Sequence, residues 1–292
     1  MDKLIIDVRI NEYTLRDENP NVPYSPEEIA NQALECWREG ASIVHYHARD
    51  PQTGAPSADV RLYAEVARRV KEKSDMLILP TLGAWTLPSP EARIAHIVEM
   101  AKDPQTKPDM APIDMGTSNV DMYDAKTRRF KTEETVYLNT TKTLRYFAET
   151  INAVGVKPMQ ALWNVGSIRT TLAFVEMGLF QEPLYMEIAL MEGGILSGHP
   201  GTVKGMEAFL DFLPSNLRCE WAVLCYGGNL LPLVGAAIER RGHISIGLGD
   251  YHYRELETPT NARLISRVAQ MAREMGRDIA TPEETRKALS LA

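Results

Sequence analysis

The stretch SIVHYHARD, residues 42–50, joins a strand-forming pattern to two closely spaced histidines. β-Branched and aromatic residues favour a strand, and residues two apart in a strand point to the same face. His45 and His47 are therefore predicted to lie side by side, just before the polar ending Arg49-Asp50. Because burying two imidazoles without partners costs free energy, the segment raises the hypothesis of a shared ligand.

Seven other apolar runs of similar length accompany this segment. The eight predicted strands are 4–10, 42–48, 76–81, 110–116, 156–163, 184–190, 218–226 and 243–249. Their starts run from 4 to 243 in seven steps of about 34 residues, which is the size of one strand–helix unit. Strands that alternate with helices pair in parallel.

Helix signals fill the segments between these strands. Ser25-Pro26-Glu27-Glu28 places a capping hydroxyl before proline, with an acid at the third helical position, and Gly40 is suited to end that helix. Thr281-Pro282-Glu283-Glu284 repeats this opening, and Ser89-Pro90-Glu91 is a third case. Further helices are predicted at about 57–73, 133–153, 167–177, 202–212, 229–241 and 259–275.

Eight strand–helix units predict an α/β fold of the (β/α)8 TIM barrel type, whose usual size is about 250 residues. The prediction is a single domain over residues 1–292 with a C-terminal helical tail, since no linker rich in Pro, Ser or Gly divides the chain. A doubly wound sheet is the competing architecture, but its G-x-G-x-x-G fingerprint does not follow the first strand.

Composition narrows the function classes. The formal net charge of −7, the pI of about 5.5 and the lack of long basic tracts argue against nucleic-acid binding. No run approaches about 18 consecutive apolar residues, so we expect no membrane span, and the N-terminal apolar run is too short for a signal peptide. The three cysteines lack metal-site spacing, which predicts reduced thiols in a cytoplasmic protein.

Catalytic groups of such barrels follow the carboxyl ends of the strands. We therefore expect one shared site among the polar residues at these ends, which are Asn11, Glu12, His45, His47, Arg49, Asp50, Thr81, Asp114, Thr117, Ser118, Asn119, Asn164, Ser167, Glu192, Gly227, Gly228, Asn229, Asp250, His252 and Tyr253.

The histidine pair is the sharpest of these features. Two imidazoles on one strand face, joined by a carboxylate from elsewhere, make an open site for zinc or a similar divalent metal, and such a metal polarises a carbonyl group. The alternative is that His45 and His47 are hydrogen-bonded core residues. We favour the metal because the strand ends in Arg49-Asp50.

Other candidates have similar alternatives. Arg49 is suited to binding a substrate carboxylate or to an ion pair with Asp50 or Glu12. Asp250 is suited to general base or metal-ligand roles, or to capping the turn after the eighth strand. Gly228 and Asn229, within CYGGN, open a helix where an anion binds readily, or they form an ordinary tight turn.

Several segments resemble the β-keto acid cleavage enzymes, typified by 3-keto-5-aminohexanoate cleavage enzyme. The matching stretches are NPNVPYSPEEIANQALECWREGASIVHYHARDPQTGAPS, ILPTLGAW, MAPIDMGTSN, RRGHISIGLGDY and TNARLISRVAQMAREMGRDIATPEETRKAL. The resemblance covers nearly the whole chain. It implies a zinc-bearing barrel that assembles as a homotetramer and converts a β-keto acid and acetyl-CoA into acetoacetate and a new CoA ester.

By this resemblance His45 and His47 are metal ligands and Asp250 is the catalytic aspartate. Thr81 stands where the family has a serine that contacts substrate, and Glu12 matches an acid after the first strand. Asn119 joins Gly228 and Asn229 as a predicted substrate-binding residue.

Departures from the family pattern predict a divergent member. Gly249 replaces the usual third metal ligand, a glutamate, and Ser245 replaces an arginine four residues earlier. Met159, Ala161 and Asn164 replace carboxylates of the fifth strand, and Ser167 replaces a histidine. The third ligand must then come from Asp250, Glu12 or Glu192.

The leading hypothesis is a metal-dependent carbon–carbon bond enzyme that acts on a small keto acid with acetyl-CoA. A CoA-independent metal lyase or aldolase is the second. A non-catalytic ligand-binding barrel is the third, because the changes at 245 and 249 remove charged groups.

Overall fold

The computed structural model of the chain describes residues 2–82 and 87–291. Eight parallel strands form one sheet and follow one another in chain order: β1 (Ile6–Arg9), β2 (Ile43–Tyr46), β3 (Leu77–Pro80), β4 (Met110–Asp114), β9 (Lys157–Leu162), β10 (Leu184–Met191), β11 (Cys219–Tyr226) and β12 (His243–Ile246). Strand β1 pairs with β12 as well as with β2. This circular order confirms the predicted (β/α)8 barrel.

Asp109 closes the seam between β3 and β4. Its backbone N–H donates to the carbonyl of Ile78 at 3.0 Å, and its carboxylate accepts from the Ile78 N–H at 2.7 Å. The Asp109 side chain therefore makes one of the hydrogen bonds between β3 and β4 that backbone groups make in a continuous sheet.

Helices surround the barrel. They are α1 (Pro26–Glu39), α2 (Val60–Lys71), α3 (Pro90–Met100), α4 (Thr141–Ala153), α5 (Gly166–Glu176), α6 (Val203–Leu210), α7 (Leu231–Glu239), α8 (Asn261–Glu274) and α9 (Pro282–Ala288). The predicted capping box at Ser25 and Glu28 is present, and Gly40 ends α1 in the left-handed conformation. Thr281 and Glu284 form the second box, at α9.

The helix predicted over 133–153 was too long at its start. Thr140 caps α4 by accepting from the Thr143 N–H, so the helix begins at Thr141. The preceding segment forms two short antiparallel pairs, between β5 (Ser118–Asn119) and β8 (Val136–Tyr137) and between β6 (Tyr123–Asp124) and β7 (Arg129–Phe130).

The amino-terminal half of the barrel is filled with apolar side chains. This floor cluster consists of Ile5, Ile43, Leu77, Leu79, Met110, Met159, Tyr185 and Ala222, joined by Ala280 and Leu289 from the C-terminal segment around α9. The predicted helical tail therefore seals one end, and space for a site remains at the carboxyl ends of the strands.

Two further expectations concern the chain as a whole. Cys36, Cys219 and Cys225 are all unpaired, as expected for reduced thiols. Within the described residues, we find no helix with the length and apolar content needed to cross a membrane.

Candidate active site

Glu12, His45 and His47 converge above the floor cluster. The Nε2 atoms of the two histidines lie 3.3 Å apart, and Glu12 Oε1 lies 3.6 Å from His45 Nε2 and 3.4 Å from His47 Nε2. The ligand atoms of all three residues lie within 4.8 Å of one another. The strand geometry predicted from the sequence therefore holds, and Glu12 is the carboxylate that joins the pair.

The chemical state of this cluster suits a divalent cation. Burial lowers the pKa of His47 to about 4, so the imidazole is neutral and its nitrogen lone pair is available. Burial alone would raise the pKa of Glu12, but Arg9 and hydrogen bonds from Asp250 and the histidines hold it well below its usual range. Glu12 Oε2 is buried without a hydrogen-bond partner, as expected for an incomplete coordination site.

Arg9 lies at the centre of the surrounding charges. Its Nε lies 2.9 Å from the Asp250 carboxylate, its Nη1 lies 3.2 Å from Glu187 Oε2, and its Nη2 donates to Glu12. Burial raises the pKa of Asp250 well above its usual range, and the Glu12 charge adds to this shift while Arg9 opposes it. The pKa values of the two neighbouring carboxyl groups therefore shift in opposite directions, down for Glu12 and up for Asp250.

The family resemblance predicts charged residues at positions 245 and 249, on and after β12. In the structure, β1 supplies charged residues close to these positions. Asp7 lies beside Ser245 in the sheet, and the Ser245 hydroxyl donates to Glu187 at 2.6 Å, within the Arg9 charge cluster. A Cβ at position 249 would lie 2.6 Å from the Glu12 N and 2.9 Å from the Arg9 carbonyl oxygen. The space that Gly249 leaves is thus occupied by the backbone that presents Glu12.

A cavity of about 580 Å³ opens beside this cluster. Its polar lining residues are Arg9, Glu12, His45, His47, Thr81, Asp114, Thr132, Thr135 and Glu187, and its aromatic ones are Tyr13, Tyr137, Trp163 and Tyr226. The remaining wall is formed by Pro112, Val120, Met122, Ala161, Ala189, Met191, Ile195 and Leu224. The cavity is therefore acidic at a few points and apolar elsewhere.

The predicted site residues divide between this cavity and its surroundings. Glu12, His45, His47 and Thr81 line it, and Asp250 lies behind Glu12 and Arg9. Among the described residues, Asn119, Gly228 and Asn229 are not in the lining, although Asn119 lies in β5, soon after β4, and Gly228 and Asn229 follow β11. Their predicted contact with substrate is therefore not part of this cavity's geometry.

Arg49 is buried and also outside the lining. Its Nη1 donates to the Thr14 carbonyl at 2.9 Å, its Nη2 donates to the Glu12 carbonyl, and its guanidinium lies 5.2 Å from the centre of the Tyr24 ring. Neither predicted ion pair forms; Arg49 instead holds the backbone that carries Glu12. Glu192, a predicted alternative ligand, accepts from the Gly201 N–H at 2.8 Å.

Sequence reasoning missed Arg9, Glu187 and Trp163 as site residues, whereas Asp114 was among the predicted strand-end candidates. Arg9 and Glu187 lie within strands, whereas the search was confined to strand ends. Their signal was available, because both are charged residues within short strands that are largely apolar, IDVR and LYMEIALM, and an unpaired charge in a barrel interior is costly.

Comparison with known proteins identifies the family. Residues 3–291 match the sequence model of the beta-keto acid cleavage enzymes. The chain belongs to the beta-keto acid cleavage enzyme family. One relative, 3-keto-5-aminohexanoate cleavage enzyme of Fusobacterium nucleatum, is 30% identical over 100% of this chain and 99% of its own. Another, 3-dehydrocarnitine:acetyl-CoA trimethylamine transferase of Rhizobium meliloti, is 28% identical over 94% and 91%.

The family assignment makes this chain an enzyme and confirms the resemblance seen in its motifs. Among solved structures, the apo structure of ObcA superposes with a TM-score of 0.73 at 15% identity and covers 93% of this chain and 66% of that protein. At this identity the likeness supports the barrel fold alone. The beta-keto acid cleavage enzymes named above, rather than ObcA, therefore guide the interpretation of the site.

Proposed function

We propose that this enzyme exchanges acyl groups between a β-keto acid and acetyl-CoA, giving acetoacetate and a new CoA ester, and that it requires a divalent metal. The Glu12–His45–His47 cluster inside the cavity is the observation that carries the proposal. In the net reaction, the bond between C2 and C3 of the keto acid breaks and C2 joins the acetyl carbon. Sulfur leaves the acetyl group and joins C3.

Glu12, His45 and His47 would hold the metal, and zinc fits a set of two imidazoles and one carboxylate with open positions. When bound, the metal would supply a Lewis acid beside the keto oxygen. The buried, neutral state of His47 supports its role as a ligand.

Proton transfer is assigned to the Glu12–Asp250 pair. Arg9 donates to both carboxyl groups, so Asp250 is connected to the cavity through Arg9 and Glu12. We infer that this pair takes up the proton released from C2 and returns it to the same carbon of acetoacetate. The raised pKa of Asp250 favours this role, because a general base works best when its pKa approaches the working pH.

Other residues position the reactants. Thr81, at the cavity wall, is proposed to donate its hydroxyl to the substrate carboxylate. Arg49 is proposed to act on catalysis by fixing the Glu12 backbone, and Gly228 and Asn229 remain predicted contacts for the larger co-substrate at the mouth of the barrel. Arg9 contacts both Glu12 and Asp250 and so fixes their relative positions.

The decisive experiment combines metal analysis with kinetics. Elemental analysis of protein purified without added metal should show close to one divalent ion per chain, with zinc expected, and His47→Ala should lose it. A panel of β-keto acids should be consumed only when acetyl-CoA is present. Unchanged metal content in His47→Ala would remove the metal assignment.

The kinetic panel also tests the second candidate function. Consumption of a β-keto acid without acetyl-CoA would favour a metal-dependent lyase or aldolase that uses the same cluster. The third hypothesis, a non-catalytic barrel, is set aside because the family is one of enzymes.

Assembly and location follow from the same proposal. We expect a homotetramer in the cytoplasm, as the family resemblance and the reduced thiols suggest. Light scattering coupled to gel filtration tests the assembly, and a monomeric mass would contradict it.

A further inference from the structure

Asp7 is a buried carboxyl group that the proposed mechanism does not use. It lies two residues after Ile5, a member of the floor cluster, and two residues before Arg9, which lines the cavity. Residues two apart in a strand point to the same face. The Asp7 side chain therefore points into the barrel, between its apolar floor and the candidate site.

No donor compensates this carboxyl group. Asp7 is fully buried, and neither of its carboxyl oxygens accepts a hydrogen bond from another described residue. Nearly all buried polar groups have a hydrogen-bond partner, and an ionised carboxylate buried without one is costly. The burial of Asp7 is therefore explained by a proton on the carboxyl group or by a cation bound to it.

The neighbouring carboxyl groups differ from Asp7 because each has a charged donor. Arg9 donates to three of them, which are those of Glu12, Glu187 and Asp250. Glu187 also accepts from the Ser245 hydroxyl at 2.6 Å. Charged donors stabilise the ionised form of a carboxyl group. Protonation is therefore least costly at Asp7, which has no such donor.

The charge of the whole cluster favours one proton. Four carboxyl groups and one guanidinium would carry a net charge of −3 if all were ionised. A divalent metal at Glu12 would leave −1, and a single proton would cancel it. Because an uncompensated charge in a protein interior is costly, we expect the metal-loaded cluster to hold that proton.

The surroundings of Asp7 favour a proton over a bound cation. Burial and the Glu187 charge raise the pKa of Asp7 well above its usual range, and Arg9 opposes this shift. Among the charged neighbours, Glu187 has the largest effect on Asp7, followed by Arg9, while Glu12 has a smaller one. A second cation at Asp7 would be repelled by Arg9, whereas a proton can be shared with Glu187.

We propose that Asp7 is a neutral carboxylic acid in the folded enzyme and donates a hydrogen bond to Glu187. Asp7 is then a positioning residue, because Glu187 holds Arg9, and Arg9 holds the metal ligand Glu12. The inference rests on the proposed function for the metal at Glu12 and is independent of the reaction.

Infrared difference spectroscopy tests the protonation state directly. A neutral carboxyl group has a carbonyl stretch that is separated from the carboxylate bands and shifts in D2O. At neutral pH, the difference between wild type and Asp7→Asn should contain one such band. Asp124→Asn is the control, because Asp124 is outside the cavity lining and its carboxylate accepts from the backbone N–H groups of Lys126 and Thr127. Its difference spectrum should lack the band.

Absence of the band from the Asp7→Asn difference would overturn the proposal. Failure of Asp7→Asn to fold would also contradict it, because the amide has the shape of the neutral acid and can donate the same hydrogen bond. Both outcomes would favour an ionised Asp7.

Zinc affinity tests the positioning role. Asp7→Asn should bind zinc within about threefold of wild type, because it keeps both the neutral charge and the donor. Asp7→Leu should weaken zinc binding by about tenfold or more, as expected for the loss of one hydrogen bond to a charged group. Weaker binding in Asp7→Asn would indicate that a negative charge was lost, and wild-type affinity in Asp7→Leu would show that Asp7 does not position the site.

Turnover separates this inference from the proposed reaction. Consumption of a β-keto acid with acetyl-CoA, without the infrared band, would support the reaction and overturn the inference. No turnover of any β-keto acid, with the band and the order of zinc affinities retained, would contradict the reaction and support the role of Asp7.

Discussion

A single guanidinium organises the acidic residues of this site. Arg9 contacts Glu12, Glu187 and Asp250, and its side chain is only 7% exposed. Such a buried charge is retained because each of its partners would otherwise be buried without compensation. At the residue scale, the site therefore depends on one nearly buried strand residue that contacts Glu12, a proposed metal ligand.

Replacing Arg9 by Met should destabilise the fold and the metal site together. Loss of one partner from a buried ionic cluster costs about 3–5 kcal/mol, so the free energy of unfolding in urea should fall by that amount. Metal affinity should fall as well, because Glu12 loses a positioning contact. The exposed pair of Arg61 and Asp59 supplies the control, since Arg61→Met should leave both measurements unchanged.

Gly249→Ala should damage the site sterically. The added Cβ would lie 2.6 Å from the Glu12 N, and such overpacking costs about 1–3 kcal/mol. We expect weaker metal binding by calorimetry and a lower midpoint in urea. Gly235 lies in helix α7, and a Cβ added there would meet only Met275 Sδ, at 3.9 Å. Gly235→Ala should therefore be neutral or stabilising.

His96 should make stability depend on pH. Burial lowers its pKa to about 4, below the value of about 6.5 in an unfolded chain. The unfolded chain binds a proton that folded His96 does not, so stability falls as the pH drops from about 6.5 to about 4. The loss is on the order of 3 kcal/mol. In urea titrations across this range, His96→Phe should show a shallower dependence, and an identical slope would refute the assignment.

At the element scale, the strands were easier to predict than the segments between them. Each of the eight strands was placed, because short apolar runs with bounding polar residues carry a strong local signal. The predicted start of α4 was wrong because Glu133 and Glu134 favour a helix locally. In the structure, the Tyr123 N–H donates to the Gly194 carbonyl at 2.8 Å, and this contact holds the chain before α4 across the mouth of the barrel. That contact spans many residues, and no local pattern contains it.

The contribution of the C-terminal segment can be measured at Leu289. Its side chain is fully buried in the floor cluster, so Leu289→Ala should lower the free energy of unfolding by about 2–5 kcal/mol. Leu138→Ala, at a residue that is 60% exposed, is the matched control and should change it little. A small effect at Leu289 would show that the tail contributes little to closing the barrel.

At the scale of the whole molecule, the repeat of strand and helix predicted the barrel, and the barrel predicted the end at which the candidate site lies. The sequence predicted His45, His47, Glu12 and Asp250 as site residues from their places at or just after predicted strand ends, and the structure places them close together. The spatial relation of Gly249 to Glu12 and of Ser245 to Glu187 could not be predicted from the sequence, since it depends on β1 pairing with β12 and on β10 lying two strands from β12 in the barrel. The charged groups that the sequence motif lacks at positions 245 and 249 are therefore supplied in the folded site by other residues.

Metal removal should act on the stability of the whole chain. A ligand that binds only the folded state stabilises it by about 2.7 kcal/mol at one hundred times its Kd. Zinc added to chelator-treated protein should therefore raise Tm in a concentration-dependent way. The same additions to His47→Ala should leave Tm unchanged, and an equal rise in that variant would place the ion elsewhere.

The closed floor of the barrel also limits how reactants enter and products leave. Leu289 and its neighbours close the amino-terminal end of the barrel. Within the part of the chain that the structure describes, both reactants and both products of the proposed reaction therefore share the opening at the other end. In the proposed reaction, an acyl-CoA formed in the barrel would leave by the route through which acetyl-CoA entered. Product inhibition by the acyl-CoA should therefore be competitive with acetyl-CoA.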